Sequence, residues 1–361
     1  MSGPAIVVNG RFLAQETTGV QRFAREVCRA AAGRWPAPGG GGRIPILHPA
    51  GAPPRDAGPV CGDLFAPTPL GRLRGHSWEQ LELGRSHPDA LLLNLTGSAP
   101  AWRRRQLVVL HDAAVAANPR AFSRAFRTWY RIMIAGYVRA ARHLVTVSRF
   151  SAGEIARHFG VPYARLHVVP ASGGHVLREP PDRAVLEVHG LEPDSYVLAV
   201  SSHSPNKNFR LVLEAMRLLR GGRMRFVIAG GGSARVFGKA PELGPEAVTT
   251  GYVSDAQLRA LYEHAACFVF PSLYEGFGLP PLEAMACGCP TIVSRTSSLP
   301  EVCGDAALYC DPHSPADLAA GLRRLWSDPA LRAELRARGR ERAARYRWTD
   351  CADAVWAIAS S

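Results

Sequence analysis

Short, almost continuous apolar runs recur along this chain, each followed by a stretch with helical periodicity, and that alternation restricts the fold more than any other feature. Runs at 91–95, 106–110, 143–147 and 166–169 precede a second series at 196–200, 225–229, 266–270, 291–293 and 307–309. Strands that are apolar at every position belong to parallel sheets covered by helices on both faces. The first residues conform, with a strand expected over 5–13, a polar loop over 16–19 and an amphipathic helix over 20–32. Further helices are expected over 120–142, 209–219, 254–265, 280–287, 315–327 and 329–345. Ser314 before Pro315 and Asp328 before Pro329 pair a capping side chain with a proline at the first helical position. Ser151 and Glu154 have the spacing of a capping box.

At 361 residues the chain is longer than one hydrophobic core usually supports, so two domains are expected. We place them at 1–180 and 181–345, with a C-terminal helix in 346–361 returning toward the first. Glycine and proline dominate 33–75, which reads as mobile loop, and 173–195 is the best linker. Open doubly wound sheets bind ligands outside the carboxyl ends of their strands, which puts the expected chemistry between the two domains.

Hydrophobic residues make up 47% of the chain and charged ones 20%, ordinary for a folded enzyme and too apolar for a disordered chain. No apolar run approaches a membrane span and the start lacks a secretory pattern, so the expected location is cytoplasmic. The eight cysteines are scattered and read as reduced core residues. The net charge of +13 is largely local, because 101–150 carries ten arginines against the single acid Asp112. Within it Arg120, Arg124, Arg127 and Arg131 fall on one helical face, interleaved with aromatic residues. Such a stripe suits anionic lipid head groups or a lipid diphosphate acceptor, and so a location at the inner face of the cell membrane. Nucleic acid is the other partner class for a basic chain, but no helix-turn-helix, RRM or zinc module is visible.

The most informative segment is 267–286, CFVFPSLYEGFGLPPLEAMA. An apolar strand ends at Phe270, a glycine-containing loop follows, and Pro280 opens a helix. Gly276 and Gly278 allow close backbone approach, and the N–H groups of Phe277, Gly278 and Leu279 at the positive end of the helix dipole suit a diphosphate. Glu275 and Glu283 repel phosphate, so they are expected to accept hydrogen bonds from sugar hydroxyls. No Asp-x-Asp and no metal-ligand histidine spacing occurs.

EGFGLPPLE resembles the E-x7-E element of the GT-B glycosyltransferases of family 4, which retain the configuration of the transferred sugar. The resemblance extends through TGVQRFARE, VVLHD, LVTVSRFSAGEI, SSHSPNKNF, VIAGGG, GYVSDAQLRALYEHA and LPEVCGDAALYCDP, in that order. It implies two Rossmann-like parallel-sheet domains facing across a cleft, an N-terminal one for the acceptor and a C-terminal one for a nucleotide diphosphate sugar. It further implies no cofactor and no metal. Glu275 matches the glutamate that touches the transferred sugar, Glu283 the one on the nucleotide ribose, and Lys207 the cation on the diphosphate. Val253 falls among the donor contacts. Gly19 matches a glycine loop near the donor phosphates, and His111 a histidine near the reacting sugar. Where relatives have Arg-Lys-Asn this chain has Asn206-Lys207-Asn208, so one positive partner of the diphosphate is missing. The expected activity is transfer of a hexose, mannose or similar, to a glycan or lipid-linked acceptor in bacterial surface polysaccharide synthesis. The alternative is an epimerase or a non-catalytic nucleotide-sugar binder on the same fold.

Overall fold

A computed structural model of the chain describes residues 5–37, 42–55, 57–119, 123–200, 205–219, 224–230 and 247–361. They form two units, 1–171 with 348–361, and 172–347. The first boundary thus falls at Ala171/Ser172 where the sequence suggests 180.

Unit one is built on a seven-stranded sheet of β1 (Ile6–Asn9), β2 (Ile44–Pro49), β3 (Phe65–Leu70), β4 (Leu91–Asn94), β5 (Gln106–Leu110), β6 (His143–Thr146) and β7 (Leu166–Val168), in the order β3-β2-β1-β4-β5-β6-β7. Every pairing is parallel. The four residues of β1 and of β4 and the five of β5 are all buried, as strands covered on both faces must be. The expected first strand is cut short at Asn9 by a 3-10 turn, Arg11–Ala14. Two strands were hidden in the glycine- and proline-rich region read as loop. β3 carries Pro67 and Pro69, which an edge strand tolerates because one row of its N–H groups has no partner strand. The helix Arg149–Phe159 is capped by Ser148, whose side chain accepts from the Ser151 N–H, three residues before the expected cap. The C-terminal helix Trp348–Ala359 belongs to this unit and packs on the helix Gly19–Ala31, with Trp35 Nε1 donating to the Ala352 carbonyl at 3.0 Å.

Unit two holds a six-stranded parallel sheet of β8 (Tyr196–Val200), β9 (Arg225–Ala229), β10 (Ala247–Gly251), β11 (Cys267–Phe270), β12 (Thr291–Ser294) and β13 (Leu308–Cys310), in the order β10-β9-β8-β11-β12-β13. β10 is an edge strand the sequence pattern misses. Both proline-started helices are present: Ser314 accepts from Asp317 N and Asp328 from Leu331 N, opening Pro315–Ser327 and Pro329–Ala344. Their apolar faces, through Leu318, Leu322 and Leu335, join Val197, Leu211 and Val269 in one core. The expected linker 173–195 is part of this unit and contains a 3-10 turn, Gly174–Leu177, and a short helix, Ala184–Val188. Gly173 explains why it is not free chain: a Cβ there would lie 2.5 Å from the Leu282 backbone, so only glycine brings the segment this close.

Candidate active site

In unit two the chain runs outward from β8 to β9 and β10, then returns to the other side of β8 as β11. Neighbouring strands whose connections leave in opposite directions open a crevice at their carboxyl ends, where ligands bind in such sheets. The loops after β8 and β11 supply Lys207 and Glu275, and the structure brings these two together. Lys207 Nζ donates to Glu275 Oε1 at 2.7 Å and stands 4.6 Å from the centroid of the Phe270 ring. The side chains are 21% and 12% exposed, so a ligand reaches the pair but water only partly screens it.

Asn208 fixes Lys207 in place, a role the sequence reading did not find. Its φ is +52°, in the left-handed region that Asn tolerates better than most residues. Its Nδ2 donates to the carbonyls of Pro271, at 3.0 Å, and Pro312, at 2.7 Å. The Leu273 N–H donates to the Asn206 carbonyl at 2.8 Å, so the two loops are stitched by backbone as well. Asn206 itself is buried and brings no charge in place of the family arginine.

The glycine loop then turns into the helix Leu279–Ala286, which begins one residue earlier than expected, leaving Pro280 and Pro281 inside its first turn. The prolines remove two of the donors a helix start usually leaves unpaired. Among the described residues the N–H groups of Phe277, Gly278 and Leu279 have no carbonyl partner. Ser298 Oγ lies 3.0 Å from the Glu275 carbonyl and 2.9 Å from that of Phe277, holding the loop's carbonyls away from the anion site. Gly278 has φ +105°, and a Cβ there would lie 2.7 Å from Leu299 Cδ2.

Glu283 lies in the second helical turn, not the first, and is nearly buried. His175 Nε2 is 3.0 Å from its Oε1, and the Tyr262 hydroxyl donates to its Oε2 at 3.3 Å. Burial, then the nearby Glu283 charge, pushes the Tyr262 phenol well above its usual range, so it remains a donor. Neither His175 nor Tyr262 carries a sequence signal, because they meet Glu283 only through space. Val253 is half-buried in the turn between β10 and the helix Asp255–His264.

In unit one, His111 follows β5, and its Nε2 is 2.9 Å from the Leu95 carbonyl. Burial lowers its pKa to about 4, partly opposed by that hydrogen bond, so the ring is neutral and Nδ1 is its acceptor. Phe23 packs edge-on against it at 4.9 Å. Gly19 is exposed and is the first residue of its helix, behind the Thr18–Gln21 capping box. On the basic helix Arg124–Ala140, Arg124 and Arg131 are exposed. Arg127, on the same helix face, is half-buried and donates to the Pro119 carbonyl at 3.3 Å. Arg120 lies outside the described residues. Among the described residues no helix is long and apolar enough to cross a membrane, and no three His, Cys, Asp or Glu side chains gather as a metal-binding group.

The model of the glycosyl transferases group 1 family matches residues 184–342. The O-antigen chain mannosyltransferase B of Escherichia coli is 34% identical over 70% of this chain and 69% of its own length. The serotype-specific mannosyltransferase WbdA of Escherichia coli is 29% identical over 74% of this chain, which spans only 34% of that longer protein. In fold, the sucrose-phosphate synthase of Thermosynechococcus elongatus superposes with a TM-score of 0.73 at 19% identity, covering 97% of this chain and 96% of the other. Anabaena HepE, solved with UDP and glucose, gives 0.74 at 14% identity, covering 98% of both. These architectures agree with the two parallel-sheet units described above, and at this level of sequence similarity the chain belongs to the group 1 glycosyltransferases of GT-B fold.

Proposed function

We propose that the chain transfers a hexose, mannose in the first instance, from a nucleotide diphosphate sugar to a glycan or lipid-linked acceptor during surface polysaccharide synthesis. The observation that carries this reading is the Lys207–Glu275 pair at the carboxyl ends of β8 and β11, with Glu275 in the loop that leads into the amides of 277–279, which have no carbonyl partner among the described residues. A diphosphate at those amides takes Lys207 from Glu275, and the freed carboxylate accepts from hydroxyls of the transferred sugar. Glu283, oriented by His175 and Tyr262, holds the ribose. The bond from the anomeric carbon to the diphosphate breaks as the bond to the acceptor oxygen forms. The acceptor's proton passes to the departing phosphate on the same face, which retains configuration, and neutral His111 orients a hydroxyl without acting as base.

Mannose is favoured because two similar proteins are mannosyltransferases, one an O-antigen chain enzyme and one serotype-specific. No metal is required in this scheme, so excess EDTA leaves turnover unchanged. The exposed Arg124 and Arg131 beside exposed Phe126 and Ile132 support docking at an anionic membrane on the cytoplasmic side. Cosedimentation with anionic liposomes tests that docking.

The test of the activity is release of nucleotide from GDP-mannose and UDP-sugars, with and without an oligomannoside acceptor, for wild type and Glu275→Gln. Acceptor-dependent release with an α-linked product, lost in Glu275→Gln while that variant remains folded at the assay temperature, supports the reading. Full activity in that variant removes Glu275 from it. An altered sugar nucleotide without transfer identifies an epimerase, and binding without release identifies a non-catalytic binder.

A further inference from the structure

Unit two begins at Ser172 and ends at Arg347, and its two ends meet inside it. Ser172 is buried; its hydroxyl donates to the Tyr346 carbonyl at 2.7 Å and accepts from the Gly174 N–H at 3.0 Å. The two residues are 174 positions apart, so nothing local in the sequence requires this bond. The Tyr346 ring then packs edge-on against that of Phe277, with centroids 5.8 Å apart and planes at 81°. Phe277 carries one of the amides at the start of the helix Leu279–Ala286, so the end of the unit reaches the donor loop through a single aromatic pair.

Tyr346 is itself held from two sides. Its backbone is tied to Ser172, and its hydroxyl accepts from Arg342 Nη2 at 3.1 Å, with the guanidinium 5.5 Å from the ring centroid. Arg342 also donates from Nε to the Val302 carbonyl at 2.8 Å and from Nη2 to the Glu301 carbonyl, both in the helix Leu299–Cys303. That helix follows Ser298, whose hydroxyl holds the Phe277 carbonyl. Phe277 is thus gripped twice within one closed series of contacts, at its carbonyl by Ser298 and at its ring by Tyr346.

The grip matters because of what surrounds Phe277 in the chain. It stands between Gly276 and Gly278, the residues with the most backbone freedom, so its carbonyl and its buried ring decide where the neighbouring N–H groups point. Hydrogen bonds weaken steeply as the donor turns away from the acceptor, so a small rotation of this loop costs affinity for an anion. We propose that Tyr346 is a positioning residue for nucleotide binding: through the Phe277 ring it fixes the amides of 277–279, and through the same contact nucleotide occupancy tightens the end of the unit around Tyr346. The proposal rests on the reading that places a diphosphate at those amides.

The test is calorimetry of GDP and UDP on the full chain, for wild type, Tyr346→Leu, Tyr346→Phe, Phe277→Leu and the double variant Phe277→Leu with Tyr346→Leu. Tyr346→Leu weakens nucleotide binding by about five-fold while each chain still binds one nucleotide, and Tyr346→Phe, which keeps the ring, restores it. The double variant binds no more weakly than the worse single one, because the two rings act as a pair. Hydrogen exchange adds the reverse direction: nucleotide slows exchange across 340–347 by at least two-fold in wild type and Tyr346→Phe, and not in Tyr346→Leu. Wild-type affinity in Tyr346→Leu, losses that add in the double variant, no restoration by Tyr346→Phe, or exchange across 340–347 unmoved by nucleotide in wild type overturns the proposal and leaves the donor site standing. A lower stoichiometry at unchanged affinity in Tyr346→Leu overturns it too, because it shows a loss of folded protein alone. Wild type that binds neither nucleotide removes the donor reading, and this one with it.

Discussion

Lys207→Met and Glu275→Gln, singly and combined, probe the donor site in two ways at once. In the free protein the two groups are partners at 2.7 Å, with side chains 21% and 12% exposed. That places their coupling between the roughly 0–1 kcal/mol of exposed pairs and the ~3–5 kcal/mol lost on breaking fully buried ones. A coupling of about 1–2 kcal/mol is expected in urea unfolding, each single variant being destabilised and the double recovering much of the loss. For a unit of this size that corresponds to a melting shift of about 4 °C per single substitution. Turnover follows different logic, because in the donor complex Lys207 faces the diphosphate and Glu275 the sugar. Each single variant loses about 10²- to 10³-fold in kcat, the usual cost of removing one oriented electrostatic contact from a transition state, and the double does not recover. Nucleotide release under saturating donor measures this. Turnover within about three-fold of wild type in either single variant, or restored in the double, refutes the argument.

Neutral His111 has a pH signature. Its folded pKa, lowered to about 4 from 6.5 by burial, makes no difference above 6.5, where the unfolded histidine is also neutral. Folding stability is then lost as pH falls from 6.5 toward 4, by up to ~3 kcal/mol, and His111→Asn removes that part of the slope in pH-dependent urea titrations. Gly278→Ala places a Cβ against Leu299 at a φ of +105° and is expected to cost roughly 1–3 kcal/mol and to weaken nucleotide binding by calorimetry. Asn208→Ala strains the left-handed position and frees the carbonyls of Pro271 and Pro312, so it raises the donor KM and lowers stability by about 1–2 kcal/mol; Asn208→Gly, which relieves the strain, keeps only the loss of the two bonds.

What the sequence discloses follows from which interactions are local. The buried strands of both sheets and the proline-started helices at Pro315 and Pro329 are readable because apolar runs and caps act over a few residues. β2 and β3 are not: Pro67 and Pro69 signal loop until a sheet edge is there to accept them, and Pro45 and Pro49, at the second and last positions of β2, signal loop in a strand that lies inside the sheet. The loop 275–279 is legible as chemistry from its glycines and acids, but the neighbours that orient it are not. His175 lies in a stretch whose composition reads as linker, Tyr262 on a helix face, and Asn208 beside the lysine that drew attention. Ser172 and Tyr346 meet from opposite ends of unit two, and no window of sequence contains both.

The most direct measurement of the central claim is a crystal structure of the chain soaked with GDP or UDP. The diphosphate is expected against the amides of 277–279, with Lys207 Nζ turned onto it and Glu275 released. A nucleotide bound away from the ends of β8 and β11, or a Lys207–Glu275 pair left intact beside a bound diphosphate, contradicts it.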